Sequence, residues 1–384
     1  MKLIILKENL NYGLNIVGRV AGKNVSLPVL NNILISNEKN FINLSATDLE
    51  LGIKYWTLVK NEKEGAITVP AKILSSFIGF LPNDKINIEL KNSSLFISCG
   101  EYKTKINGLS AEDFPIIPKI EDKDFVELNC RVFCDGLSKV VDFTTINQTR
   151  PELSGVYFNF TKDGLCLAAT DSFRLAEKTL SFEKKPSKEF SFILPQKSAR
   201  EIINIFSEKD GKLKLFFSPN QVLFEYPMAE IDHAQIQVVS RIIDGGYPDY
   251  QGIIPKKYSD QIILPKEELL NHIKTAGVFS GKTNEIKLTP RHGSGQAPAK
   301  EGVEIFSQNP DLGENSGFVQ GRIKREPDSK ETSISFNYRF LIDGISNIKD
   351  SEVVLELNGE DGPAAVKSKT DSSYIYIVMP IKST

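Results

Sequence analysis

An apolar run that breaks on Thr-Asp and then resumes occurs twice in the chain. The copies are Phe41-Ile42-Asn43-Leu44-Ser45-Ala46-Thr47-Asp48-Leu49-Glu50-Leu51-Gly52 and Leu165-Cys166-Leu167-Ala168-Ala169-Thr170-Asp171-Ser172-Phe173-Arg174-Leu175-Ala176. Asp48 and Asp171 lie 123 residues apart, and so do Pro28 and Pro151. Pro195 answers Pro70 at 125, and Tyr247-Pro248 answers Phe114-Pro115 at 133. Landmarks that recur in one order at nearly one period mark a repeated unit, which constrains the fold more than any local propensity. A third, fainter copy comes after them, with Asn309-Pro310-Asp311 where Thr-Asp stood and Met379-Pro380 in the place of Phe114-Pro115.

Apolar spacing predicts two amphipathic helices per unit: Lys7 to Val20 and Ala71 to Leu81, Asn129 to Phe143 and Gln196 to Phe206, Lys266 to Gly277 and Tyr338 to Ile348. The second helix carries a stripe of Ile73, Leu74, Phe77, Ile78 and Leu81. About eight strand-like segments accompany each pair, among them Phe41 to Ala46, Glu285 to Thr289, Val303 to Ser307, Val353 to Leu357 and Tyr374 to Val378. Helices gathered on antiparallel sheets are α+β architecture. At 384 residues the chain exceeds the ~250 at which single cores stop growing. Three tandem similar domains are expected, at 1–122, 123–254 and 255–384, with linkers near Lys119 to Asp124 and Pro255 to Asp260. The stretches 290–302 and 324–330, rich in Gly, Pro and Ser or in charge, read as enlarged surface loops.

No stretch approaches the ~18 uninterrupted apolar residues of a membrane span, and Leu3-Ile4-Ile5-Leu6 is too short for a signal peptide, so a cytoplasmic location is expected. Cys130 and Cys134 would share a helix face, but no second ligand pair accompanies them, and packed thiols are the better reading. No metal and no cofactor is expected. The segment Ala276-Gly277-Val278-Phe279-Ser280-Gly281-Lys282-Thr283 ends like a phosphate-binding loop, yet a helix precedes it and a strand succeeds it, the reverse of what phosphate binding needs. Three histidines in dissimilar contexts and no Gly-x-Ser-x-Gly elbow leave no catalytic set, so a non-enzymatic protein is expected. With a net charge of −2, any nucleic-acid role must come from segregated charge. Lys23, Lys72, Lys197, Arg200 and Lys274 fall on or just after predicted helices. They read either as a solvated helix face or, if three units curve with helices inward, as a collar for a phosphate backbone.

Leu27-Pro28-Val29-Leu30-Asn31-Asn32-Ile33-Leu34, Ala46-Thr47-Asp48-Leu49-Glu50, Ala111-Glu112-Asp113-Phe114-Pro115, Ala169 to Ala176, Gly246-Tyr247-Pro248-Asp249-Tyr250 and Tyr376-Ile377-Val378-Met379-Pro380 closely resemble the bacterial sliding clamp, the beta subunit of DNA polymerase III. The resemblance runs in order from end to end and is weakest between Pro290 and Lys330. It implies a DNA clamp fold, in which each subunit is half of a closed six-domain ring. The ring would be a homodimer around duplex DNA, a processivity factor for the replicative polymerase in DNA replication. It implies a subunit contact between Val278-Phe279 and the region of Thr104 and Ile106. It also implies a pocket for short apolar peptides from the polymerase, the clamp loader and repair proteins.

Carried over by matching positions, that pocket uses Leu153, Thr170, Ser172, Phe173, Arg174, Leu175, Pro248, Ile253, Val378, Met379 and Pro380, with Thr170 and Arg174 supplying polar orientation. On the residues alone these positions read as core at a domain junction. Many family members have Gly-His where this chain has Ser172-Phe173, Gly252 stands where a basic residue is common, and the tail Ile381-Lys382-Ser383-Thr384 departs from the usual ending. The rival readings are a repeat scaffold that binds only proteins and an ATP-dependent enzyme using Gly281-Lys282-Thr283.

Overall fold

The computed structural model describes residues 1–22, 27–120, 124–145, 149–229, 231–292, 301–327 and 331–382. Among these residues six α-helices form: α1 (Lys7–Val17), α2 (Ala71–Phe80), α3 (Cys130–Ser138), α4 (Gln196–Phe206), α5 (Lys266–Gly277) and α6 (Tyr338–Ser346). Each is entered directly from a strand: Lys2–Leu6, Gly65–Pro70, Phe125–Asn129, Phe190–Pro195, Asp260–Pro265 and Ile334–Asn337. Proline ends three of these strands, where its fixed φ suits the step into a helix and its missing N–H costs nothing.

α1 and α6 stop short of the predicted Val20 and Ile348, and α2 stops one residue before Leu81. α3 ends at Ser138 and a separate 3-10 turn at Val141–Phe143 takes over, so the predicted helix to Phe143 is two elements. Ile73 does not join the α2 stripe; it is 57% exposed, while Ala71, Leu74 and Ile78 are buried. The opening run is a strand, Lys2–Leu6, paired with Lys85–Lys91.

The chain forms two compact units, Met1–Asp135 with Ser181–Asp244, and Gly136–Leu180 with Gly245–Thr384. The division does not follow the repeats. In the first unit one sheet runs Phe125–Asn129, Lys212–Ser218, Gln221–Pro227, Ala234–Arg241, Leu51–Leu58, Phe41–Thr47, Asn32–Glu38, Gly65–Pro70. The hinge of that order is the pairing of Ala234–Arg241 with Leu51–Leu58, Val238 opposite Ile53. A second sheet has the order Lys60–Lys63, Lys2–Leu6, Lys85–Lys91, Ser94–Cys99, Tyr102–Asn107.

In the second unit, Gly155–Phe160, Leu165–Thr170 and Arg174–Leu180 continue into Tyr374–Val378, Ala364–Ser368, Glu352–Leu357, Asp260–Pro265 and Arg322–Arg325. The joining pair sets Leu175 opposite Ile377. A smaller sheet has the order Gly313–Gln320, Gly302–Asn309, Glu285–Arg291, Ile334–Asn337.

Two expected irregular segments are partly regular. Pro290 and Arg291 close a strand, and Lys324-Arg325 sit in the edge strand Arg322–Arg325. The reason is electrostatic as well as conformational: Arg325 Nε donates to Asp260 Oδ1 at 2.5 Å, with the side chains only 12% and 5% exposed. Asp260, expected to end a linker, is thus the buried first residue of a strand. Residues 293–300 and 328–330 lie outside the described residues.

Candidate peptide pocket, DNA-facing helices and subunit edges

The two Thr-Asp turns are the same structure. Thr47 Oγ1 donates to the Leu51 carbonyl and accepts from Leu49 N–H, while Asp48 Oδ1 accepts from the N–H groups of Glu50 and Leu51. Thr170 Oγ1 donates to the Arg174 carbonyl at 2.6 Å and accepts from Ser172 N–H, while Asp171 Oδ1 accepts from the N–H groups of Phe173 and Arg174. Short polar side chains that satisfy the backbone locally hold such turns without a longer loop. Leu49 and Ser172 adopt positive φ, 78° and 76°. For a non-glycine residue that conformation costs about 1–2 kcal/mol. Ser172→Gly is therefore expected to raise unfolding stability by about 1 kcal/mol, read from urea midpoints. A fall in stability would mean that the serine side chain holds the turn.

The two turns lead into different surroundings. Leu51 is buried, but Arg174 enters a polar and aromatic cage. Its Nε donates to Asp171 Oδ2 at 2.8 Å, its Nη1 donates to Asp343 of α6, and its guanidinium lies 5.1 Å from the Phe143 ring and 4.4 Å from Phe340. Burial alone would lower its pKa, but the hydrogen bond to Asp171, with Tyr376 and Asp343 beside it, raises it. Thr170 and Arg174 are therefore engaged within the chain, Thr170 closing the turn and Arg174 holding it against α6. Sequence reading missed Phe143, Phe340 and Asp343. The last lies 169 residues from Arg174 and has no local signature.

Of the other residues expected in the pocket, Val378 and Met379 lie beside this turn. The terminal strand pairs Val378 with Arg174, and Met379 N–H donates to the Phe173 carbonyl at 2.9 Å. Leu153, Leu175 and Val378 are buried, at 1%, 3% and 0% exposed. Phe173 and Ile253 are 63% and 50% exposed, with Pro248, Met379 and Pro380 half-buried. Leu175 and Ile377 pack with Ala168, Tyr250 and Ala365, and Tyr157, Tyr247, Ile254, Tyr258 and Ile375 pack against them. Tyr247 stacks on Tyr157 at 4.8 Å. Tyr250 Oη donates to Glu177 at 2.7 Å and lies 3.4 Å from Cys166 Sγ. Burial first, then Glu177, pushes the Cys166 thiol up to about 12, so it packs and does not react.

Of the basic residues, Lys72, Arg200 and Lys274 are exposed on α2, α4 and α5. Lys23 lies outside the described residues. Lys197 donates to Asp48 Oδ2, which ties α4 to the first Thr-Asp turn. Burial would raise the Asp48 pKa, but Lys197 and the Leu51 and Glu50 N–H groups outweigh it and hold the carboxyl below its ordinary value. Within the first unit Arg19, just past α1, bridges to Glu201 of α4 at 2.5 Å and shares a groove with Lys72.

The segment that resembles a phosphate loop leaves α5, turns through Gly281–Thr283 with Gly281 at φ 64°, and enters Glu285–Arg291. No helix N-terminus comes after it to receive a phosphate. Val278 is 68% exposed and Phe279 half-buried beside Gly313, at the start of an edge strand. Thr104 and Ile106 lie on Tyr102–Asn107, the edge of the other small sheet.

The family model for the DNA polymerase III beta subunit matches in three parts, the N-terminal domain at residues 1–118, the central domain at 128–249 and the C-terminal domain at 251–382. The chain belongs to this family. The beta sliding clamp of Synechococcus elongatus is 28% identical over 389 residues, covering 100% of this chain and 99% of the relative, and that of Bacillus subtilis is 24% identical over 100% of both. The DNA polymerase sliding clamp structure from Bacillus subtilis superposes with a TM-score of 0.90 at 24% identity, covering 100% of both chains. A sliding clamp from Bartonella birtlesii, solved bound to griselimycin, gives 0.88 at 26% identity over 100% of both. The clamp fold, three tandem α+β domains, thus accounts for the whole chain, and the sheets that cross from one domain to the next are how its domains join.

Proposed function

We propose that this DNA sliding clamp works as a head-to-tail homodimer that closes around duplex DNA and tethers the replicative polymerase in the cytoplasm. The observation that carries this reading is a pair of sheet edges. At each internal junction, the strand after a Thr-Asp turn pairs with the last strand before the Pro landmark of the next domain: Leu51–Leu58 with Ala234–Arg241, and Arg174–Leu180 with Tyr374–Val378. The strand in the same place in the last domain is Gly313–Gln320, and the last strand of the first domain is Tyr102–Asn107; both are sheet edges. A second copy lets the same rule pair them twice by two-fold symmetry and covers both of these edges. Thr104 and Ile106 sit on one edge, and Val278-Phe279 beside the other. The reading takes the domain limits as 1–122, 123–254 and 255–384.

Held by topology, such a ring needs only weak phosphate contacts, which Lys72, Arg200 and Lys274 supply, and a net charge of −2 then suits sliding. The reading calls on no cofactor, metal or catalytic residue. Loaded on nicked circular DNA, the protein is expected to remain bound and to fall off on linearisation. Equal retention on both substrates would remove the topological mechanism, and no retention on either would favour the protein-only scaffold.

Partner proteins, the clamp loader and polymerase among them, are assigned to the surface of Phe173, Pro248, Ile253, Met379 and Pro380 above the floor of Leu153, Leu175 and Val378. Ending the chain at Val378 removes Met379 and Pro380 and is expected to weaken binding of a polymerase-derived peptide by at least about tenfold, measured by fluorescence anisotropy. Unchanged affinity with an intact dimer would move the peptide site elsewhere.

A further inference from the structure

The first unit holds a cavity of about 560 Å³ that the clamp mechanism does not use. Its floor is the outer face of the strands Asn32–Glu38, Phe41–Thr47 and Leu51–Leu58, and its rim is the segment from Ala111 to Lys119. We propose that this cavity is a second peptide-binding slot, which takes a short acidic peptide carrying an aromatic or aliphatic anchor.

Position is the first support. Phe114-Pro115 sits against the sheet of the first Thr-Asp turn as Tyr247-Pro248 sits against that of the second, and Phe114 and Ile117 pack on Leu223 and Val239 much as Tyr250 packs on Leu175 and Ile377. One junction of the repeat is assigned to peptides; the same geometry, with different side chains, recurs at the other. Chemistry is the second. One wall is aromatic: Phe41 stacks on His233 at 4.4 Å, and Trp56 meets the same ring edge-on at 5.6 Å. Ile116, at the rim, is 92% exposed. An apolar residue so placed gains by covering an incoming side chain.

Charge gives the third support and chooses the ligand. Among the described residues Lys39, Lys54 and Lys119 line the cavity with one carboxylate, Glu38, while Glu112 and Asp113 of the rim segment are exposed and do not line it. Lys54 Nζ donates to the Ile117 carbonyl at 3.3 Å, and among the described residues it has no carboxylate partner. Burial, and then Lys119, lowers its pKa. A carboxylate entering beside the aromatic wall would answer both lysines with charge-assisted hydrogen bonds.

Trp56 is the only tryptophan in the chain, so intrinsic fluorescence reads this slot directly. The full chain is titrated with acetyl-Asp-Phe-Asp-amide, and with acetyl-Asn-Phe-Asn-amide as the uncharged counterpart. The acidic peptide is expected to change Trp56 emission saturably and to bind at least about tenfold more tightly than the amide form. Lys54→Gln and Lys119→Gln are each expected to weaken it at least about tenfold; Lys119 is exposed, so that variant holds its fold whatever becomes of the half-buried one. Ile253→Ser, in the other junction, is expected to leave the titration unchanged. No saturable response, equal binding of the two peptides, indifference to Lys119→Gln, or loss of binding in Ile253→Ser would each overturn the slot. The slot stands apart from the peptide pocket of the clamp reading, and either can fail without the other.

Discussion

Proline at Lys105 or at Ser316, whose N–H groups point away from the neighbouring strand, is expected to convert the clamp from a dimer to a monomer, read as a halving of mass by light scattering at micromolar concentration. Both residues lie on strands at the open edges of small sheets, Tyr102–Asn107 and Gly313–Gln320. Edge strands tolerate proline within the monomer because the lost N–H faces outward, whereas a strand paired on both sides does not. If a second copy pairs there, the substitution removes a ladder bond and adds a clash, about 3 kcal/mol, or roughly 100-fold in the dimer dissociation constant. Circular dichroism on the same samples keeps the test clean, since a folded variant that stays dimeric would show that the edges are not the interface. The expected monomer would also be lost from circular DNA, because a ring that opens freely has no topology to hold it.

Asp371→Ala is expected to destabilise the second unit by about 2–3 kcal/mol. Asp371 accepts from Lys178 Nζ at 2.7 Å and lies 3.6 Å from Lys139 Nζ, and both lysine side chains are only 9% exposed. Removing one member of a buried pair costs about 3–5 kcal/mol because a charge is left in low dielectric. Asp371 itself is 36% exposed, so water recovers part of that. The sign with pH comes from the carboxyl. Burial raises its pKa, but Lys178 and Ser373 outweigh this and hold it well below the ordinary 3.8. A carboxyl depressed on folding contributes stability above its unfolded pKa and loses it as pH falls through the folded one. Urea midpoints of the native chain should therefore fall progressively below about pH 4, and the variant should fall less steeply there. Parallel slopes would assign the acid sensitivity to other carboxylates, Asp48 first among them.

Helices were legible wherever an apolar stripe lay over them. α4 and α5 span the residues expected, while α1 and α6 end early because their last apolar residues, Val20 and Ile348, are buried from the turns beyond the helix. Ile73 misled for the opposite reason. Its spacing fits the stripe, but the α2 face it occupies is exposed beside Lys72. The strands leading into the helices were mostly missed, because runs of five or six residues such as Asp260–Pro265 carry too little alternation to stand out. Arg325 read as a loop charge since nothing local reveals Asp260, 65 residues away.

The sequence by itself determined the threefold repeat, the Thr-Asp turns, the α+β class and the family, because each rests on local chemistry: a side chain satisfying its own backbone, a proline opening a helix, an apolar face every few residues. Only the tertiary structure decided what the repeats do to one another. Strand pairing across domain junctions joins residues far apart in the chain, as in Val238 against Ile53, and hydrogen bonds between backbones carry no side-chain signature that could announce them. The same holds for Arg174. On the residues alone it read as core at a domain junction and by resemblance as an orienting group, and its neighbours in space, Asp171, Asp343, Phe143 and Phe340, pin it against the second turn.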